Sequence, residues 1–234
     1  MTDSPLPALS APEPLTLRPR ALPASRQRDL CVTFALSSRP RQLDSRFRGN
    51  DVRGDMEDFL WPHPAEPGTC VDEIRVSVRR PSETTVRLRF SVVGHIAGIV
   101  IPELAPPLRA NNLWQSTCFE AFLRPAGESG YREFNFTPST QWAAYEFDAH
   151  RANMREASLP APPQITIASA ADQLICEITL ALDLPREQYR LGLSAVIEEK
   201  SGGRSYWALN HPSGAPDFHD DTCFAVDLPS PEAS

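Results

Sequence analysis

The chain has 234 residues, 41% of them hydrophobic, with a formal charge of −7, enough apolar material for a buried core in one or two domains. The charge is uneven: residues 1–55 hold nine Arg, six acids and seven Pro, so that 14 of the 23 basic and 24 of the 30 acidic side chains fall in residues 56–234, a formal charge of −10 with Lys200 as the only lysine. This balance argues against a nucleic-acid partner, since binding a phosphate backbone draws on clustered Lys and Arg, and no apolar run approaches the length that spans a bilayer.

Residues 1–55 open with the low-complexity string SPLPALSAPEPLTLRPRALPAS, which cannot bury enough apolar surface to offset the entropy of ordering. They are expected to be disordered. The piece RQLDSRFRGNDVRGD resembles a translated bacterial intergenic repeat, in which case the true start is Met56 and the first 55 residues form no part of the folded domain. The patch CVTFAL after Leu30 is too short for a signal-peptide core, so a cytoplasmic location is expected. Cys31, Cys70, Cys118, Cys176 and Cys223 show no metal-ligand spacing; three sit in apolar alternations, where a reduced Cys acts as a small buried hydrophobe, and a bridge from Cys176 to Cys118 or Cys223 arises only in an exported protein.

From residue 74 the chain reads as short strands punctuated by Pro, Gly, Asn and Asp, over 74–79, 86–93, 96–101, 118–124, 131–137, 142–148, 164–169, 173–182, 190–198, 205–209 and 223–228. The expected fold is all-β, a two-sheet antiparallel β-sandwich with jelly-roll or immunoglobulin-like connections. Val86, Leu88, Phe90 and Val92 share one face and Arg87, Arg89 and Ser91 the other; Leu174, Cys176, Ile178, Leu180 and Leu182 alternate with Glu177 and Thr179 in the same way. The glycines of residues 125–130 and 200–204 suit hairpin turns, and the Pro-rich stretches 102–110 and 158–163 suit surface crossovers.

The blocks LWQSTCFEAFL, YREFNFTPSTQWAAYEFD, HRANM and AVIEEKSGGRSYWALNHPSGAPDFHDDTCF, in that order and spacing, resemble the bacterial DOMON-like family, a relative of DOMON domains and of family 9 carbohydrate-binding modules. The resemblance runs from Glu57 to Leu228. It implies a single β-sandwich over residues 56–234 with a ligand pocket on one sheet, in a superfamily that binds sugars or haem, and it implies no reaction. Where the family pattern would read PDFHH, this chain has PDFHD ending at Asp220.

The residues point to a non-catalytic binder of a small polar ligand, most readily a sugar or sugar derivative, because aromatic planes cover the apolar face of a pyranose while polar neighbours bond its hydroxyls. The site residues expected are Arg89, Trp114, Glu120, Asn135, Trp142, Trp207 and His211. Aromatics at strand spacing are as often core, and Trp142 and Tyr145 point to opposite faces. Glu120, on the face of Cys118 and Phe122, is either paired with Arg87 or Arg89 or in contact with ligand, since an unpaired buried charge is costly. A hydrolase would need a second acid facing Glu120. Asp217, His219 and Asp220 are the candidates for a divalent cation such as Ca²⁺, although no standard loop spacing is met and a solvated turn explains them as well. Haem would need a Met/His axial pair, for which Met154 with His150 or His95 are the candidates. No cofactor is expected. A protein-interaction module is the alternative, and it would show a broad exposed apolar patch.

Overall fold

The computed structural model describes residues 55–184 and 188–232. The chain divides into two units, Met1–Asp44 and Ser45–Ser234, and all described residues belong to the second. The expectations for residues 1–54, Cys31 included, lie outside the described residues.

Among the described residues twelve strands form: β1 (Met56–Pro62), β2 (Val71–Ser82), β3 (Thr85–Gly94), β4 (Cys118–Pro125), β5 (Tyr131–Phe136), β6 (Trp142–Phe147), β7 (Arg155–Glu156), β8 (Gln164–Ser169), β9 (Gln173–Ala181), β10 (Tyr189–Glu198), β11 (Arg204–Ala208) and β12 (Val226–Asp227). No α-helix occurs among the described residues, and no helix there is long and apolar enough to cross a membrane. The strands pair antiparallel along one path, β7-β6-β5-β4-β10-β11-β1-β2-β3-β9-β8, with β12 added to β10. The all-β antiparallel expectation therefore holds, as one curled sheet. Its joint is β1, whose residues 56–60 pair with β2 while Trp61 and Pro62 pair with β11.

Strand parity decides what each half buries. On β2, β3 and β9 one face is apolar (Ile74, Val76 and Val78; Leu88 and Phe90; Cys176 and Ile178) and the other carries Arg75, Arg87, Arg89 and Glu177 to solvent. β4, β5, β6 and β10 are instead buried on both faces. Their inward residues, Phe119, Phe134, Phe136, Leu191 and Leu193 among them, meet β3 and β9 in a single core, with the Phe90 and Phe119 rings stacked at 4.9 Å. Their outward residues form a second cluster with Phe218 and Phe224, which the segment after β11 lays across the sheet.

Gly127 and Gly202, at φ +83° and +95°, supply the left-handed residues of the β4–β5 and β10–β11 hairpins as their composition predicts. Two expected strands are corrected. Residues 96–101 form a 3₁₀ turn, Ile96–Gly98, and then a single bridge from Ile99 to Glu199; residues 223–228 form the end of a 3₁₀ turn, Asp221–Cys223, and only the two-residue β12. In both, apolar residues pack under a connection rather than along a ladder. β1 and β7 were not expected from the sequence: MEDFLWP lacks clean alternation, and a two-residue edge strand carries no period.

Candidate functional site

The outward face of β4, β5 and β10 carries a polar row inside an apolar cluster. Antiparallel register aligns Asn135, Glu120 and Ser194 side by side across β5, β4 and β10, with Ala143 and Ala208 at the two ends. Two residues along β5, Glu133 stands opposite Phe122 and Tyr145 on the same face. Glu120, Glu133, Asn135 and Ser194 are all buried. Ser194 Oγ donates to Glu120 Oε2 at 3.0 Å, and Asn135 Nδ2 donates to Glu133 Oε1 at 2.6 Å. The Cys118 thiol reaches Asn135 Oδ1 at 3.7 Å.

The segment after β11 closes the lower end of this face. Tyr131 Oη accepts from the Arg151 backbone N–H at 3.1 Å and lies 2.6 Å from His219 Nδ1, while His219 Nε2 lies 3.6 Å from Glu133 Oε2. With the Tyr131 oxygen accepting from Arg151, its own hydroxyl hydrogen suits donation to Nδ1, the arrangement that puts the ring proton on Nε2, facing the carboxylate. Asp217 anchors the segment, accepting from Arg151 Nη2 at 2.8 Å, Arg151 Nε at 3.2 Å and His150 Nε2 at 2.8 Å. At the other end, the 3₁₀ turn Leu113–Gln115 packs on β4 and β5, with Leu113 against the apolar cluster and Trp114 50% exposed beside it. Asn111 Oδ1 accepts from Tyr145 Oη at 2.9 Å and ties the connection before β4 to β6.

Burial dominates the electrostatics. It raises the Glu120 carboxyl to about 8, helped by the neighbouring Glu133 charge and opposed by the Ser194 hydrogen bond. Glu133 is raised for the same first reason, opposed by Asn135 and Arg151. His219 is lowered to about 4 by burial and by the Arg151 charge, so its imidazole is neutral at neutral pH. The Glu120 carboxyl therefore holds its proton at neutral pH in the free protein. Because the folded-state value of Glu120 lies above its ordinary 4.5, its ionisation weakens the fold progressively from about pH 4.5 up to about 8. Glu120→Gln is accordingly expected to raise the thermal midpoint at pH 9 by roughly 2–4 °C over the parent, with no such gain at pH 4; differential scanning calorimetry at the two pH values reads it.

The structure brings Glu120 and Asn135 together, with Trp114 on the adjoining turn. The other expected site residues lie elsewhere. Arg89 is on the solvent face of β3, paired with Glu177, so neither it nor Arg87 neutralises Glu120. Trp142 and Trp207 point inward by strand parity, Trp142 donating to the Pro107 carbonyl at 3.3 Å under the Arg109 guanidinium and Trp207 to Ser205 Oγ at 2.9 Å. His211 donates from Nε2 to the Trp61 carbonyl at 2.7 Å, its ring edge-on to His63. Asp220 caps the Asp221–Cys223 turn through Thr222. Asp217, His219 and Asp220 thus serve three different partners, and among the described residues no group of three or more His, Cys, Asp or Glu side chains is placed to hold a metal. Met154 is solvent-exposed and His150 is engaged with Asp217. Cys70, Cys118, Cys176 and Cys223 are free thiols. Sequence parity carried a signal for Glu133, which shares the Asn135 face; Ser194, Tyr131 and Arg151 needed the β4–β10 pairing and the path of the last segment.

A surface cavity of about 640 Å³ lies away from the row, against the β4–β5 turn. Its charged walls other than Glu128 are already matched: Arg132 and Arg155 pair with Glu146, and Arg155 with Asp148 at 2.6 Å. The buried carboxylates lack such matching, so the row is the candidate site.

No family model and no curated protein matches the chain. Solved structures do: a candidate carbohydrate-binding protein from Bacteroides uniformis ATCC 8492 aligns with TM-score 0.54 and 11% identity over 73% of this chain and 84% of its own. This chain shares that protein's fold. A family 9 carbohydrate-binding module from Caldicellulosiruptor kristjanssonii in complex with glucose aligns at TM-score 0.45 and 10% identity, over 75% of this chain and 85% of the module. A family 9 module from the same organism in complex with cellotriose aligns at 0.41 and 11% identity, over 67% and 74%.

Proposed function

We propose that the curled sheet is a DOMON-like β-sandwich that binds a small polar ligand, a carbohydrate or sugar derivative, without catalysing a reaction on it. The observation that carries this reading is the buried row Asn135–Glu120–Ser194 with Glu133 beside it: hydrogen-bonding groups placed at a cost on an otherwise apolar face, with no Lys or Arg bonded to either acid among the described residues. Sugar hydroxyls supply donors to such acceptors, and the half-exposed Trp114 offers a plane for the apolar face of the ring. The fold shared with a candidate carbohydrate-binding protein is in keeping with this. The reading places the protein in the cytoplasm, where its cysteines stay reduced.

Titration of the full chain with glucose, followed by tryptophan fluorescence, is expected to give a saturable change. Trp114→Ala is expected to remove most of that change and to weaken binding about tenfold, roughly 1.4 kcal/mol. A flat titration up to high millimolar glucose and cellobiose would refute the reading. A protein partner is a second reading, favoured by Leu104, Leu108 and Trp114 standing exposed along one connection; sugar-independent self-association seen by light scattering, and lost in Leu104→Ser with Leu108→Ser, would support it.

A further inference from the structure

Acceptors outnumber donors on the Glu120 row. Ser194 gives one hydrogen to Glu120 Oε2 and Asn135 one to Glu133 Oε1. Glu120 Oε1 makes no hydrogen bond to a described residue, although Glu120 is only 3% exposed, and Glu133 Oε2 has only the His219 ring at 3.6 Å. Among the described residues, the sealed side-chain atoms that lack a partner are Arg80 Nε and His211 Nδ1. Glu120 Oε1 is not one of them, so this oxygen is not wholly sealed although the residue is almost fully buried. Arg151, the guanidinium whose field reaches both acids, is committed to Asp217 through two bonds.

Two neighbouring acids with open lone pairs and no bonded cation are answered only in part by hydroxyl donors, which bring no counter-charge for the ionised carboxyl. An ammonium group answers both needs, with three donors, no acceptor and a compact positive charge. Its polyol body would then meet the Asn135 amide and the Trp114 face. Resting on the sugar-binding reading above, we infer that the ligand of this site carries a protonated amine, an amino sugar whose ammonium sits between Glu120 and Glu133.

Because the free protein keeps Glu120 protonated near neutral pH, ammonium binding releases a proton, whereas a neutral sugar leaves it in place. Isothermal titration of the full chain at pH 7 with glucosamine, N-acetylglucosamine and glucose, in two buffers of different ionisation enthalpy, separates the cases. Glucosamine is expected to bind at least about tenfold tighter than the other two, with a heat that changes with the buffer. Glu120→Gln and Glu133→Gln are each expected to bring the glucosamine to N-acetylglucosamine ratio close to one; both substitutions are isosteric, and the two together guard against either failing to fold. Equal affinities for the three sugars overturn the amine and leave the sugar site standing. No binding of any of them overturns both. A glucosamine preference that survives both substitutions overturns the location.

Discussion

Phe119→Ala is expected to lower the unfolding free energy by roughly 3–5 kcal/mol, the usual cost of removing a fully buried phenyl ring and leaving its cavity. Phe119 is completely buried on the inward face of β4, and its ring stacks on Phe90 of β3 at 4.9 Å with 30° between planes. It joins the β1-β2-β3-β9-β8 half of the sheet to the half that carries the polar row, and Glu120 follows it directly on β4. The cavity therefore loosens the strand that sets the row. Urea unfolding monitored by near-ultraviolet circular dichroism measures the loss; a change below about 1 kcal/mol would mean that the two halves do not share one core.

Glu199→Ala is expected to cost roughly 3 kcal/mol at pH 7, and the cost has a pH signature. Burial alone would push the Glu199 carboxyl up, but four donors outweigh it: Thr69 N at 2.5 Å, Thr69 Oγ1 at 2.7 Å, Cys70 N at 2.9 Å and Ser201 Oγ at 3.2 Å bring it from 4.5 down to about 2. A depressed folded-state value gives stability that is present in full above about pH 4.5 and lost as pH falls toward 2. The parent and Glu199→Ala should therefore converge in stability at the acid end and differ most above pH 5. This carboxylate ties the β1–β2 connection to the end of β10. Gly68 makes room for it, since a Cβ there would stand 2.9 Å from Glu199 Oε1, at a φ of +74°. Chemical denaturation at pH 3 and pH 7 checks the difference; an equal cost at both would assign the effect to packing.

The parts of the fold legible in the sequence are those with an unbroken two-residue period. Val86 to Val92 and Leu174 to Leu182 alternate without interruption, and their strands form where expected. Glu120 was legible as a buried acid because its neighbours were apolar, and its Asn135 partner because the glycine turn before β5 sets the hairpin register. Period alone did not distinguish core from site for the indoles: Trp142 and Trp207 have the spacing of site aromatics and the parity of core ones. Ser194 lies 74 residues from Glu120, and His219 is 88 from Tyr131. No local pattern announces contacts of that separation, which follow from where β10 inserts and where the last segment crosses.

On the proposed reading, the outward face of β4, β5 and β10 holds the ligand. Chemical-shift mapping by nuclear magnetic resonance on the isotope-labelled full chain, titrated with glucose and with glucosamine, tests it most directly. The largest shifts are expected on Glu120, Glu133, Asn135, Ser194 and the Trp114 indole, with the Glu120 carboxyl carbon moving toward its ionised value under glucosamine. Shifts centred instead on Arg132, Arg155 and Tyr189 around the 640 Å³ cavity, with the Glu120 row unmoved, would contradict it.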